Sequence, residues 1–515
     1  MVVQDTDDSS EPTYLALDLG SNSFHLVLAT FREGKMVRLD QRKETVRLAS
    51  GLDSDGRLSG EAQERALQAL RGFSSLVVNL PPARVRAVGT NTMRVAKNSS
   101  RFLRQAEAAL GHRIDIISGI EEARLIYLGV SKDLATGDGQ RVVIDIGGGS
   151  TEVVLGDTRP LQLESLYMGC VSYSRRFFPD GKLNPKAYAK AVRTARRELM
   201  GLSGKLGCAM PDEVVGSSGT IRAIGSILNA QGQQDITLDG LVGMRDAILG
   251  FKTTAEIRMA GLSEDRSPVI VGGLAILEAL FRELNIAHMQ VSEYAIREGI
   301  IHDLAGRFHH RDKRQETLEG MMKNYQVDVN QAQRVGSVAT QLWQQISLDP
   351  QSGECELLRW AADLHEIGLA LSHAGYHKHG SYILQHADMP GFSRQEQQQL
   401  GFLVLNHRRK FRGVDANYGF VADWGMVLCL RLACIFARPR QDNLPGALVL
   451  KVVDVEHFSL EVDQAWLDDN PLVKDDLKTE AKYWKRLDCK LKLIQTKSSQ
   501  EDSGAQNGGS SKIHH

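Results

Sequence analysis

Apolar residues in the first third of the chain come in short alternating runs, not at helical spacing. TYLALDLG (13–20), SFHLVLATF (23–31) and KMVRLDQRKETVRLA (35–49) read as three strands with tight turns between them, the second at Gly34. The same order returns in RVVIDIGGG (141–149), STEVVLG (150–156) and PLQLESLYMG (160–169). Asp145 then stands where Asp18 stands, an offset of 145 − 18 = 127 residues. A helical stretch follows each triplet, SGEAQERALQALRGFSSLVVNL and NPKAYAKAVRTARRELMGLSGKL. Each copy then has an apolar strand ending in small polar residues, VRAVGTNTMR and EVVGSSGTIR. An internal duplication explains this economically and predicts two similar α/β lobes facing one another.

After about Gly306 the period becomes helical. RFHHRDKRQETLEGMMKNYQV reads as a charged connector, and ELLRWAADLHEIG puts Leu357, Leu358, Ala361 and Leu364 on one face. GALVLKVVDVEHFSLEVDQAWL alternates as strands do, and a polar helical run follows. The second half is therefore expected to be mostly helical, with a small α+β end piece.

Length and composition narrow the class. At roughly 100–200 residues per domain, 515 residues imply three or four domains. Apolar residues make up 42% and charged residues 24%, ordinary for a globular protein with real cores. The formal net charge of −1 offers no global attraction for polyanions, so anion binding must come from local patches, and no nucleic-acid partner is expected. Six scattered cysteines without a CxxC motif fit the reduced thiols of a cytoplasmic protein. The opening MVVQDTDDSSEPT is acidic and polar, unlike a signal peptide, and no apolar run approaches the ~18 residues of a membrane span.

The glycine-rich turns DLGSNS and DIGGGST carry the candidate chemistry. Glycine lets a backbone turn tightly and approach a ligand without a Cβ, and successive N–H groups form an anion-binding hollow. Hydroxyls of Ser21, Ser23, Ser150 and Thr151 add donors, and the acid at each strand end is placed to hold a divalent cation directly or through water. Neither turn is followed by the Gly-Lys-Ser/Thr of a P-loop, and no G-x-G-x-x-G opens a helix after a strand. In SGIEEARL, Ser118 and Glu121 have the spacing of a capping box, which gives Glu121 a structural role. Glu122 points about 100° further round the helix and is free for other work.

DLGSNSFHLV, GTNTMR, ISGIEEARLIYLGV, VIDIGGGSTEVV, MGCVSYSRRFF, GSSGTIRA and GLAILEALF, in that order, closely resemble the exopolyphosphatase / guanosine pentaphosphate phosphatase family from about Tyr14 to Trp484. The resemblance implies a duplicated actin-like (ASKHA, ribonuclease H-like) fold. The implied organisation is a flexible N-terminus (1–12), actin-like domains I (13–128) and II (129–306), a helical domain III (307–440), an α+β domain IV (441–492) and a disordered tail (493–515). It implies Glu122 as the base that orients water, with Glu121 as the lesser alternative. Asp145 and Glu152 would hold Mg²⁺. Gly147, Gly148, Gly149, Ser150 and Thr151 would cradle phosphate, opposed by Ser21, Asn22 and Ser23. Arg94 could fork onto phosphate oxygens, and Ser218, Gly219 and Thr220 form a third small-residue turn.

Within the family, GTNTMR and DIGGGST look more like the exopolyphosphatase branch, as does HAGYHKHGSYILQHADMPGF. The expected activity is therefore Mg²⁺-dependent release of orthophosphate from the ends of inorganic polyphosphate. The alternative is 5′-phosphatase action on guanosine-5′-triphosphate,3′-diphosphate in the stringent response. A weaker one is an ATP-using kinase or ATPase on the same scaffold. Arg408, Arg409, Lys410 and Arg412 are a candidate polyphosphate track, and RFHHRDKR is another. AADLHEIGLALSHAGYHKHGSYILQH resembles the helical HD phosphohydrolase domain. Here Glu366 replaces the Asp of the His-Asp doublet, Gln331 and Ala332 stand where a further His is usual, and His379 and His407 keep plausible places. Loss of two ligands argues against a working metal centre there. The family also implies a homodimer. The expected location is cytoplasmic, with peripheral association at the inner face of the cell membrane left open.

Overall fold

The computed structural model describes residues 11–133, 139–205, 211–308, 312–349, 353–413, 423–446, 448–454 and 457–496. The chain forms two compact units, one of Met1–Arg314 with Asp388–Arg394 and the other of Gln315–Ala387 with Gln395–His515. No helix among the described residues is long and apolar enough to cross a membrane.

In the first unit, strands β1 (Thr13–Leu19), β2 (Phe24–Arg32), β3 (Lys35–Glu44), β4 (Val85–Gly89) and β5 (Ile114–Ile116) form a sheet in the order β3-β2-β1-β4-β5. Strands β6 (Arg141–Ile146), β7 (Thr151–Gly156), β8 (Pro160–Leu166), β9 (Glu213–Ser217), β10 (Ile236–Thr237) and β11 (His288–Val291) form the other. Its order is β10-β11-β9-β6-β7-β8, so β8-β7-β6-β9-β11 repeats the first sheet strand for strand. In each, a hairpin is antiparallel (β1 with β2, β6 with β7) while the next strand is parallel to the first (β4 to β1, β9 to β6). These are the two similar α/β lobes expected from the repeat, in the duplicated actin-like architecture that the family resemblance implies.

The register aligns the chemistry of the two copies. Asp18 lies opposite His25 on β2, and Asp145 lies opposite Glu152 on β7. Cross-strand partners share a face of a sheet, so each strand-end acid has a titratable neighbour beside it.

The helices form where their patterns say. Gly60–Val77 begins at Ser59, whose hydroxyl accepts from the Ala62 N–H; Pro185–Leu199 begins at Asn184, whose side chain accepts from Lys186 and Ala187. The helix Ser267–Glu283 is buried through most of its length in the core of the second lobe. Helix Ile296–Phe308 returns to the first lobe, where it packs on β1, β2 and helix Gly119–Asp133. Two corrections to the expected boundaries follow. The 128/129 division falls inside helix Gly119–Asp133, and residues 296–306 pack on β1 and β2 of the first lobe, in an apolar cluster that also takes in Val143, Val154 and Val215 of the second.

The crossing of those two helices depends on glycine. A Cβ on Gly299 would lie 1.8 Å from the Leu125 carbonyl oxygen, and one on Gly129 would lie 2.1 Å from the Ala295 carbonyl oxygen. Neither obstacle is the end of a flexible side chain, so the helices themselves would have to separate. Gly299→Ala is expected to lower stability by about 1–3 kcal/mol, the usual range for overpacking, despite alanine's better helix propensity. Urea denaturation of the two proteins checks this; an unchanged or raised midpoint would show that the crossing yields easily.

The second unit is helical, as expected, and ends in a sheet of β12 (Leu448–Val452), β13 (His457–Asp463) and β14 (Lys490–Thr496) in the order β12-β13-β14. The strand β14 runs parallel to β13 and buries Leu491, so 493–496 belong to the sheet and not to a tail. Residues 497–515, like 1–10, Cys208 and 309–311 of the second basic run, lie outside the described residues. Residues 388–394, expected in the helical domain, belong to the first unit, where Ser393 bridges Ile117 and the Gly391 N–H donates to Glu121 at 2.7 Å.

Candidate active site

Both glycine-rich turns lie at the ends of β1 and β6 and line one pocket of about 120 Å³. They touch: a Cβ on Gly148 would lie 2.8 Å from the Cβ of Ser21. Gly149 lies against Asn91, whose Oδ1 would be 2.3 Å from an added Cβ. The Gly147 N–H is used within its own turn, donating to the Ser150 carbonyl. Its carbonyl and that of Gly148 accept from the first N–H groups of helix Cys170–Phe177. Among the described residues no protein acceptor takes the N–H of Gly148 or Gly149. Such N–H groups are suited to phosphate oxygens.

Of the residues singled out in the sequence, Ser21, Asn22, Ser23, Glu122, Asp145, Gly147, Gly148, Gly149, Ser150, Ser218, Gly219 and Thr220 line this pocket. Ser218 has φ of 88°, a conformation non-glycine residues rarely adopt. Glu121, Arg94, Thr151 and Glu152 do not line it, each for a visible reason.

Glu121 is 0% exposed. Ser118 Oγ does accept from its N–H, but the carboxylate does not complete a capping box. It accepts instead from Arg124 at 2.7 and 2.9 Å and from Arg86 at 3.4 Å, because two buried guanidinium groups outcompete a single N–H. Arg94 is neither a surface residue nor a pocket residue: its Nη1 donates to Glu122 Oε2 and to the Ile117 carbonyl, both at 2.9 Å. It holds the candidate base in place. Thr151 is sealed, its hydroxyl donating to the Met168 carbonyl at 2.6 Å. Glu152 Oε1 accepts from Ser165 Oγ, while Oε2 is sealed without a partner.

Burial dominates the electrostatics, and crowding of carboxylates adds to it at Asp18, Asp145 and Glu152. Burial, then Glu122, raises Asp145 to about 7; burial and Glu122 raise Asp18 to about 8, which Arg297 opposes. Burial raises Glu122 against the pull of Arg94, and burial with Glu122 and Asp145 raises Glu152 well above its usual range. A cation would relieve this. The residues present fit one: Asp18 and Asp145 both line the pocket, and Asp18 Oδ1 is sealed from water with no partner. Among the described residues no three His, Cys, Asp or Glu side chains gather as a metal-ligand set. Mg²⁺ is commonly held by one or two carboxylates plus substrate phosphate. Asp18, unlike Glu152, lines the pocket with Asp145.

Sequence reasoning missed His25, Asn91, Arg222, Arg266 and Arg297, all pocket-lining. Arg297 is buried and donates to His25 Nδ1 at 3.1 Å; burial and then Arg297 push that imidazole down to about 3, so it stays neutral. Arg266 rests on Gly219, where an added Cβ would lie 2.0 Å from its Nη2. The duplication itself pointed to Arg222: in SSGTIR it stands where Arg94 stands in GTNTMR. One copy of this arginine steadies Glu122 and the other faces the pocket. Arg266 and Arg297 carry no local signal, since they reach the pocket from helix ends distant in sequence. Arg408, Arg409, Lys410 and Arg412 belong to the second unit, and of these only Arg408 and Arg409 line a cavity there.

The chain matches the family described as "Ppx/GppA phosphatase family" over residues 27–308 and "Ppx/GppA phosphatase, domain III" over 313–481. It is 38% identical over 480 residues to a guanosine-5'-triphosphate,3'-diphosphate pyrophosphatase of Pseudoalteromonas atlantica, covering 91% of this chain and 95% of that protein. It is 37% identical over 489 residues to a protein of the same name from Pseudoalteromonas translucida, covering 93% and 97%. A crystal structure of an exopolyphosphatase from Cytophaga hutchinsonii, 24% identical, shares the fold over 57% of this chain and 98% of that one, with a TM-score of 0.52.

Proposed function

This chain belongs to the Ppx/GppA phosphatase family, and we propose that its substrate is guanosine-5′-triphosphate,3′-diphosphate, from which it releases the 5′-terminal phosphate. The sequence motifs alone rank inorganic polyphosphate first. The order is reversed here because two relatives alike over nearly their whole length carry the nucleotide pyrophosphatase name. Polyphosphate remains the second reading, supported by the likeness of GTNTMR and DIGGGST to that branch.

For either substrate, the observation that carries hydrolysis is the Glu122 carboxylate on the wall of a pocket built from both glycine turns. The turns and the guanidinium groups of Arg222, Arg266 and Arg297 bind the phosphate oxygens and orient the terminal phosphorus. Glu122, steadied by Arg94, accepts a proton from the attacking water, which makes that oxygen a better nucleophile. Asp18 and Asp145 would hold Mg²⁺, which when bound neutralises phosphate charge.

Orthophosphate release from the nucleotide and from long-chain polyphosphate, at equal concentrations of terminal phosphate, tests the choice. The nucleotide is expected to have a kcat/KM at least about tenfold higher, or ~1.4 kcal/mol of extra transition-state binding. The opposite ratio would restore the polyphosphate reading.

A further inference from the structure

The second unit holds a cavity of about 560 Å³, distinct from the pocket of the glycine turns in the first. Five arginines line it, and three are already neutralised. Arg431 binds both oxygens of Glu480, Arg438 pairs with Asp476, and Arg440 pairs with Glu366 and Asp328. Arg408 and Arg409 have no ion pair among the described residues. They are nonetheless held. The Arg408 guanidinium lies over the Tyr376 ring at 4.7 Å, and Arg431 Nη2 donates to the Arg409 carbonyl at 2.8 Å, across a backbone turn with φ of 66°.

The same cavity presents acceptors. Gln331 is 4% exposed; its amide nitrogen donates to the Ala437 carbonyl, which leaves Oε1 sealed and without a donor. His365 Nδ1 lies 2.6 Å from the Ala362 carbonyl, which places the proton on Nδ1 and leaves Nε2 as an acceptor in the neutral ring. His407 is fixed the same way by the Val404 carbonyl at 2.7 Å. His379, expected beside these rings, does not line the cavity; His377 is the one near His407, with ring centroids 6.4 Å apart. One unneutralised guanidinium held on an aromatic ring, Arg408, with the exposed side chain of Arg409 beside it on a fixed backbone turn, calls for an anion, and buried acceptors call for hydroxyl or amino donors on the same ligand.

We propose that this cavity binds a small phosphorylated molecule bearing hydroxyl donors, the chemistry of a sugar phosphate or of the ribose-phosphate part of a nucleotide. Arg408 and Arg409 take the phosphate, and Gln331 Oε1 with His365 Nε2 take the hydroxyls. Because Lys410 and Arg412 do not line the cavity, the basic run is split between a binding wall and a solvated surface.

Calorimetric titration of the full chain with ribose 5-phosphate, guanosine 5′-monophosphate and inorganic phosphate tests this. The wild type is expected to bind ribose 5-phosphate at one saturable site, with the nucleotide arm showing whether a base adds affinity. Replacing Arg408→Gln and Arg409→Gln together is expected to weaken that binding at least about tenfold, as loss of charge-assisted hydrogen bonds does. Lys410→Gln is expected to leave it within about twofold, the scale of an exposed charge. Gln331→Leu is expected to weaken ribose 5-phosphate more than inorganic phosphate, which gives a second reading should the double variant misfold. No binding of ribose 5-phosphate by the wild type overturns the proposal. So does loss on Arg222→Gln with retention in the double variant, or an equal effect of Gln331→Leu on both ligands.

Discussion

Glu122→Gln is expected to lower kcat for phosphate release by roughly 10²–10⁴-fold, the usual worth of a positioned general base, with KM changed little. The amide keeps the shape and the contact with Arg94, so substrate binding and folding are preserved while the proton acceptor is removed. The pH profile carries the same claim with a sign. Burial raises the Glu122 pKa, and only its ionised form accepts a proton, so kcat rises with pH through a value above the ordinary glutamate range. Arg94 pulls that value down, by its charge and its hydrogen bond. Arg94→Met is therefore expected to move the acid limb to higher pH, a change that mere loss of structure would not produce. Wild-type turnover in Glu122→Gln would remove the base from Glu122. An acid limb that stays put in Arg94→Met would show that the limb belongs to another group.

Asp303→Asn is expected to destabilise the first unit by about 3–5 kcal/mol, the cost of breaking a buried ion network from one side. Asp303 accepts from Arg124 at 2.6 Å, from Arg86 at 2.7 Å and from Arg307 at 3.2 Å. Arg86 and Arg124 are also shared with Glu121. The neutral amide would leave Arg86 and Arg124 with Glu121 as their near carboxylate, Asp115 lying 3.8 Å from Arg86. Burial alone would raise the Asp303 pKa, but Arg124, Arg86 and Arg307 outweigh it and hold the carboxyl well below its usual range. A depressed carboxyl contributes stability that is full above the unfolded value near 3.9 and is lost as pH falls below it toward the folded value. The gap between wild type and Asp303→Asn in chemical denaturation should therefore be widest near neutral pH and shrink below about pH 4. A constant gap across that range would mean that the charge is not what the network uses. The network ties together the helix bearing Glu122 and the helix bearing Arg297, so its loss would loosen the pocket as well.

Much of the fold was legible because duplication doubles every weak signal. One glycine turn is ambiguous, but two in matching contexts define paired hairpins, and both line one pocket. A helix turns adjacent residues to different sides, and Glu121 and Glu122 do face different surroundings, but the capping-box spacing gave no sign of the pairing of Glu121 with Arg124 and Arg86. Composition of a motif could not say which members face the ligand. Arg94, Thr151 and Glu152 sit within motifs that line the pocket, yet each is turned to a partner inside the protein. On β7 the sequence permits either direction for Glu152; Ser165 on the neighbouring strand decides it. Asp18 was visible as the echo of Asp145, but its orphaned oxygen appears only when the lobes close around it.

By itself, then, the order of residues determined the paired sheets and the glycine turns, because those depend on spacing along a few consecutive positions. Only the tertiary structure decided which arginines meet the pocket of the glycine turns, which carboxylates share it, and that Arg408 and Arg409 face a second cavity. The physical reason is that charge acts through space. A guanidinium from residue 297 and a carboxylate from residue 18 influence one another through distance and burial, and neither quantity is written along the chain.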